Sequence, residues 1–389
     1  MYYIDIAHCS VNKHGEELCG DHVETIKTEN GMIVVLSDGL GSGVKANILA
    51  TLTSKIAITM LKGGASIEDT IVTITNTLPE CQVRKLAYST FTIVEIQNSG
   101  EVYMVEYDNP PVFFYRRAKP FPVYKEERQI NGKTIYESNF KMEQGDLLTI
   151  VSDGVVHAGV GMTLNLGWQW EHIDEYLQDL IRVEGETDGV SRSLLSVCEN
   201  LYDGRPGDDT TVVTIQLKPV KYLDLFTGPP RDKENDQIMV KQLKNARGKV
   251  VLCGGTTANI ISRELNAPIR IDLSHYTKKV PPIGYMEGTE LVTEGLLTLN
   301  ATKDILDQCV QKKLKGEMIE KIRQKDGASR LARILIEDST YIHIWLGQAI
   351  NPAHQNPDFP EDFNLKNKVV TDIVRQLKVL GKDVKVTYI

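Results

Sequence analysis

The sequence predicts an α+β fold for its first 218 residues and a smaller α/β domain for residues 219–389. Two observations carry the first prediction. Helical periodicity appears in two consecutive pairs, one near residues 42–78 and one near 170–201, and many short strands with Asn/Gly turns lie between them. The second rests on a change after residue 219, where strands and helices begin to alternate. A layered β-sandwich flanked by helix pairs is the arrangement that buries the apolar faces of the first set.

Residues 2–10 alternate weakly, and residues 22–27 are short and β-branched. Residues 31–37 form a nearly continuous apolar run, as expected of a strand covered on both faces. Residues 42–61 carry apolar side chains at helical spacing, and 67–78 follow after the breaker Gly63-Gly64. Residues 89–96 and 101–106 flank Gln97-Asn98-Ser99-Gly100, a hairpin signal. A second strand pair is expected at 112–116 and 122–126, a turn at Asn131-Gly132, and a buried strand at 146–152. Helices at 170–181 and 190–201 and a strand at 211–217 complete this part. Gly228-Pro229-Pro230 and the charged stretch after it mark a boundary within 218–235. Beyond it, helices are expected at 236–245, 304–315, 328–336 and 367–380. Strands are expected at 249–253, 269–273, 341–346 and 384–388.

The chain has 389 residues, 44 Lys+Arg against 52 Asp+Glu, and a formal charge of −8. This length suits two domains, and the acidic balance argues against a general nucleic-acid binder. No apolar run approaches the ~18 residues that span a bilayer, and the start lacks a basic segment followed by an apolar one. A cytoplasmic protein with no membrane partner is the expectation, and the oligomeric state is open. Cys9, Cys19, Cys81, Cys198, Cys253 and Cys309 show neither CxxC nor zinc-ligand spacing, so reduced thiols are expected.

Aspartates at strand ends or beside glycine carry the chemistry. They are Asp21, Asp38 in Ser37-Asp38-Gly39, Asp153 in Ser152-Asp153-Gly154, and the pair Asp208-Asp209. One Asp-Gly alone is ordinary turn chemistry. Asp38 and Asp153, however, each follow a buried apolar strand, which is a rigid mount, and glycine admits a metal close to the backbone carbonyl. Carboxylates converging without Lys or Arg between them would repel one another, and a divalent cation relieves this. Hard oxygen ligands point to Mg²⁺ or Mn²⁺ rather than zinc.

The segments CGDH (19–22), VVLSDGLGSGVKA (34–46), YDNPPVFFYR (107–116), GDLLTIVSDGV (145–155) and GDDTTVVTIQL (207–217), in this order, resemble one family. It is that of the metal-dependent protein serine/threonine phosphatases of type 2C, in the bacterial branch typified by the stage II sporulation phosphatase and the phosphatases of sigma-factor partner switching. The resemblance covers residues 1–218 only. It implies an antiparallel β-sandwich between helix pairs, and two Mn²⁺ or Mg²⁺ ions that activate a water for attack on a phosphoserine or phosphothreonine. It also implies that Asp38 bridges the ions, that the Gly39 carbonyl and Asp21 serve the second, and that Asp153 and Asp208 complete the first. Asp38 and Asp153 are then the catalytic residues, and Asp209 orients the loop. The substrate it implies is a phosphorylated regulatory protein such as an anti-sigma-factor antagonist.

This sequence departs from the wider family in two places. The N-terminal Arg that holds phosphate in eukaryotic members is missing, since the first Arg is Arg84. Lys45 is read as a solvated helix lysine before a phosphate contact. Cys19 stands where the branch often has Ser, a packing change. His8, His14, His22 and His157 are candidates for proton transfer, His22 and His157 because they stand near Asp21 and Asp153 in sequence.

In the second half, a strand runs into Gly254-Gly255-Thr256-Thr257 and a helix. This loop reads either as a tight turn capped by a threonine or as an anion-binding helix N-terminus. A Pro/Asn-rich loop at 351–360 reads as a rim or lid. The leading function is a metal-dependent phosphatase whose second domain senses a ligand or partner. The alternatives are a non-catalytic regulatory scaffold and a sensor that binds a small anion or nucleotide through residues 219–389.

Overall fold

The chain is described by a computed structural model that covers residues 1–77, 89–277, 280–311, 322–349 and 365–389. Cys81, the 351–360 loop and the ends of the helices expected to reach 78 and 315 lie outside the described residues. Two compact units divide the chain, Met1–Pro219 and Val220–Ile389.

The first unit runs β1 (Tyr2–Val11), β2 (Asp21–Lys27), β3 (Gly31–Gly39), α1 (Gly43–Lys62), α2 (Ile67–Thr77), β4 (Ser89–Gln97), β5 (Glu101–Tyr107), β6 (Phe113–Arg116) and β7 (Lys119–Pro120). It continues with β8 (Glu126–Ile130), β9 (Lys133–Lys141), β10 (Leu147–Val151), α3 (Asp153–Val156), α4 (Trp170–Val183), α5 (Thr187–Leu201) and β11 (Thr210–Pro219). Two antiparallel sheets form, in the orders β1-β11-β10-β6-β7 and β2-β3-β4-β5-β9-β8. Alternation along the strands sorts the side chains into layers. Val34, Leu36, Val94, Met104, Ile150 and Val213 fill the space between the sheets. Ile33, Val35 and Ile93 face outward onto Leu49, Ile58 and Ile71 of the first helix pair. Leu147, Val151 and Val212 face outward onto Ile173, Leu177 and Leu194 of the second. The expected α+β sandwich is present, with each sheet covered by one helix pair.

Gly43–Lys62 is, among the described residues, a helix long and apolar enough to cross a membrane by length and composition. Its buried positions Ala46, Leu49, Ala50, Thr53, Ala57 and Ile58 fall at helical spacing on one face and pack in this unit's core, as a core helix does.

The strand pair expected at 112–116 and 122–126 is corrected. β6 pairs instead with Lys119–Pro120, across Arg117 and Ala118, both at positive φ. Residues carrying a Cβ seldom adopt that conformation, so the sequence gives no turn signal there. Lys133–Lys141, absent from the expected strands, pairs with both β5 and β8.

The second unit contains β12 (Tyr222–Thr227), α6 (Asp236–Lys244), β13 (Lys249–Cys253), α7 (Gly255–Leu265), β14 (Arg270–Asp272), β15 (Ile283–Tyr285), β16 (Leu291–Thr293) and α8 (Leu296–Val310). It ends with α9 (Gly327–Ile336), β17 (Tyr341–Leu346), α10 (Leu365–Val379) and β18 (Asp383–Tyr388). The parallel part of its sheet has the order β16-β13-β12-β17-β18, with an antiparallel edge at β14 and β15. The chain therefore winds outward from β12 in one direction and then, after β16, in the other. This is a doubly wound sheet with its switch point between β12 and β17. The 218–235 stretch, expected as a boundary, contains β12, the central strand of the sheet's parallel part. Asp224 interrupts that strand's apolar pattern, and it is 9% exposed and accepts a hydrogen bond from Trp345 Nε1 at 2.8 Å. The helix expected at 304–315 begins at Leu296, because Thr298 and Thr302 are buried against neighbouring elements despite their low helix propensity.

Ile150→Ala, in the fully buried layer between the sheets, is expected to cost about 2–5 kcal/mol in the unfolding transition of the first unit. Tyr124→Ala, at a side chain 77% exposed, should stay within about 0.5 kcal/mol. Urea unfolding of both variants checks this, and equal losses would contradict the layer assignment.

Candidate functional site

Strand pairing brings the aspartates to one end of the sandwich. Asp21 begins β2 and is the direct cross-strand partner of Asp38 near the end of β3. In the other sheet, Val151 of β10 opposes Val212 of β11, so Asp153 just after β10 lies beside Asp208 and Asp209 just before β11. Ser152 locks the two strands together there. Its backbone N–H donates to the Thr211 carbonyl at 3.0 Å, and its Oγ accepts from the Thr211 N–H at 2.9 Å. Gly154 is required by close approach, since a Cβ there would lie 2.1 Å from the Asp209 carbonyl oxygen. Gly39 meets α1 in the same way, 2.1 Å from the Ala46 carbonyl.

The carboxylates feel one another. Burial raises the pKa of Asp38 to about 9, helped by the charges of Asp21, Asp153 and Asp208 and by a hydrogen bond with the Asp153 carboxyl. Burial likewise raises Asp21 to about 7, with Asp209 and Asp153 adding to the rise. The hydroxyls of Thr211 and Ser152 pull Asp21 back towards ionisation but make no well-formed hydrogen bond to it, and both of its carboxylate oxygens are buried without a partner. Asp208 is raised by burial and by Asp153, and lowered by Lys13.

Asp38, Gly39, Asp153 and Asp208 line a cavity of about 980 Å³. Asp21 and Asp209 lie behind this wall, 5% and 4% exposed. Asp209 holds the loop after β1 by accepting from the Lys13 N–H at 3.0 Å, while its Oδ2 is buried without a partner.

Lys13 escapes sequence reasoning. Its Nζ lies 3.8 Å from Asp208 Oδ1 on the cavity wall, nearly two hundred positions away in sequence, and no motif marks it. Lys125, also on the wall, pairs with the buried Glu106 at 2.5 Å. Lys45, weighed from the sequence as a phosphate contact, is not among the residues lining the cavity. Of the four histidines considered, His157 lines the cavity. His22 points the other way and contacts Ser54 of α1 through Nδ1 at 2.7 Å, because neighbours along a strand face opposite sides. His14 is held in its loop by a backbone bond to Pro206, and His8 lies along β1 opposite Val213.

Among the described residues, no three His, Cys, Asp or Glu side chains are spaced to hold a metal ion as they stand. The donor set nevertheless fits a hard divalent cation. Carboxylates from four chain segments converge, three of their oxygens are buried without partners, and the pairing cation is one lysine at 3.8 Å.

Residues 28–218 match the family described as Stage II sporulation protein E (SpoIIE). No curated protein matches the chain. Among solved structures, the PP2C phosphatase domain with a regulatory-domain fragment of SpoIIE from Bacillus subtilis is 20% identical. That match covers 56% of this chain and 62% of the other, with a TM-score of 0.47. The RsbU and RsbW domains of a Mycobacterium tuberculosis protein are 15% identical over 62% of this chain and 67% of theirs, with a TM-score of 0.46. RsbX, solved in complex with magnesium, is 19% identical over 56% of this chain and all of its own, with a TM-score of 0.41. The chain thus spans less than two thirds of the B. subtilis structure it matches.

Raised carboxyl pKa values mean that the folded state holds protons the unfolded chain has released. The associated stability is complete below the ordinary carboxylate range and is lost as pH rises through about 7 for Asp21 and about 9 for Asp38. In EDTA, Asp38→Asn should therefore stabilise the first unit at pH 8 by about 1–2 kcal/mol, with little gain at pH 5. Thermal unfolding at the two pH values checks the sign, and a destabilised variant at pH 8 would contradict the crowding.

Proposed function

We propose, because residues 28–218 match the family described as Stage II sporulation protein E, that the first unit is a metal-dependent protein phosphatase. Its substrates are phosphoserine or phosphothreonine on a regulatory protein, such as an anti-sigma-factor antagonist. One observation carries the reading: Asp38, Asp153 and Asp208 line an open cavity, and behind them Asp21 and Asp209 hold buried carboxylate oxygens left unpartnered among the described residues.

In this reading Asp21, Asp38, the Gly39 carbonyl, Asp153 and Asp208 would hold Mn²⁺ or Mg²⁺ ions. When bound, such ions act as Lewis acids and lower the pKa of a coordinated water. The chain's own residues do the rest. The two sheets fix the carboxylates on rigid strand ends, so little reorganisation accompanies catalysis. Asp209 holds the Lys13 loop against the cavity, and the Lys13 ammonium supplies the positive charge that would otherwise come from the missing Arg. His157 lines the same wall, and in this reading it would give a proton to the departing serine oxygen. The cavity is open enough to admit a residue on a protein surface.

Mn²⁺-dependent release of phosphate from a phosphoserine peptide is expected, with loss in EDTA and a fall of about a hundredfold or more in Asp38→Ala. Lys13→Ala should raise KM about tenfold while metal dependence is kept. Turnover that persists in EDTA, or full activity in Asp38→Ala, would remove the reading and favour a regulatory scaffold.

A further inference from the structure

The second unit carries features of a ligand site that the phosphatase chemistry does not use. At the carboxyl edge of its doubly wound sheet, β12, β13 and β17 are followed directly by Gly228, Gly254 and Gly347, and β16 by Glu294 and then Gly295. These glycines crowd together. A Cβ built on Gly295 would lie 3.4 Å from Gly254 Cα, and one on Gly347 would lie 2.2 Å from the Gly228 carbonyl oxygen. Open α/β sheets bind ligands outside the carboxyl ends of their strands, beside the switch point, and this edge is that place.

Two threonines at the edge are buried and idle. Thr227, the last residue of β12, is 1% exposed, and Thr257, in the first turn of α7, is fully buried; neither Oγ1 has a hydrogen-bond partner. Of the two threonines that could cap the turn, Thr257 does not, because its hydroxyl has no partner among the described residues. It is directed at the junction of the strand ends instead. A Cβ on Gly254 would lie 3.5 Å from Thr257 Oγ1, 3.9 Å from the Gly228 amide nitrogen and 4.0 Å from Gly295 Cα. A buried hydroxyl without a partner is unfavourable in the folded state, and a hydrogen-bonding ligand removes that cost.

Charge at the edge favours an anion. α7 begins directly at Gly255 with exposed Gly255 and Thr256, and its first turn contains no acidic residue. Lys366, in the first turn of α10, donates from Nζ to the Gly347 carbonyl at 2.8 Å, and the same Nζ would lie 2.0 Å from a Cβ on Gly228. Its ammonium is thereby held over the β12 and β17 ends, where burial lowers its pKa. The nearby Glu294 carboxylate is turned to the start of α8, accepting from the Leu297 N–H at 3.3 Å.

We propose that this edge binds the phosphate group of a small phosphorylated molecule. The exposed α7 amides, the Thr227 and Thr257 hydroxyls and the Lys366 ammonium would receive it, with Gly254 and Gly255 leaving the α7 end open. The test is calorimetry on the full chain in EDTA, with inorganic phosphate, AMP and ATP as separate probes. Without metal the carboxylates of the first unit repel anions, so failure of the phosphatase reading would leave this experiment interpretable. Saturable one-site binding of at least one probe is expected, weakened about tenfold by Lys366→Gln and by Thr257→Val, and unaffected by Asp38→Asn. A nucleotide that binds more tightly than inorganic phosphate identifies a nucleotide ligand, and equal binding identifies a site for phosphate alone. Lys366→Gln alters a helix-end side chain and tests the site even if Thr257→Val does not fold. No binding of any probe at millimolar concentration overturns the proposal. So does binding that Asp38→Asn abolishes while both second-unit variants retain it.

Discussion

The constraint on which the first unit depends is mutual repulsion among carboxylates held close at the open end of two packed sheets. Asp21 and Asp38 face each other across one sheet, Asp153 and Asp208 project from the other, and Asp209 adds a fifth charge behind them. In the metal-free chain the cluster holds protons at pH values where an exposed aspartate has none. The sandwich core supplies the energy for this arrangement, since its residues between the sheets are almost wholly buried. Stability is spent locally at a site whose parts agree only once positive charge is present, a pattern expected where function opposes stability. Part of the chain's acidic excess of eight is concentrated in this cluster.

Much of the fold was legible because the apolar runs are strong. Residues 31–37 and 146–152 read as buried strands, and the structure runs β3 and β10 through them. The aspartates were legible because each stands at such a strand's end or beside glycine. Lys13 was not, since its place depends on Asp209, far away in sequence, accepting from its amide. Strand parity would have set His22 aside, because a residue next to Asp21 on a strand must face the other side of the sheet. The Lys119–Pro120 strand was hidden behind two positive-φ residues with side chains, and β12 of the second unit behind Asp224.

The second unit shows how topology adds what local pattern cannot. Residues 249–259 alone left both a tight turn and an anion site open, with the turn favoured. Strand order places that loop at a carboxyl edge beside Gly228, Gly295 and Gly347, and the unpartnered Thr257 hydroxyl supports the anion reading. Both units thus present buried oxygens that lack partners at strand ends: carboxylates in the first, suited to cations, and hydroxyls beside an ammonium in the second, suited to an anion.

The central claim, that the aspartate cluster is completed by divalent cations, is tested most directly by Mn²⁺ titration calorimetry in buffers of different ionisation enthalpy. Binding should displace protons from the raised carboxyls, so the observed heat should scale with buffer ionisation at neutral pH, with about two ions per chain. Asp38→Asn should lose both the binding and the proton release. Absence of Mn²⁺ binding, or binding without proton release that Asp38→Asn leaves unchanged, would contradict the account.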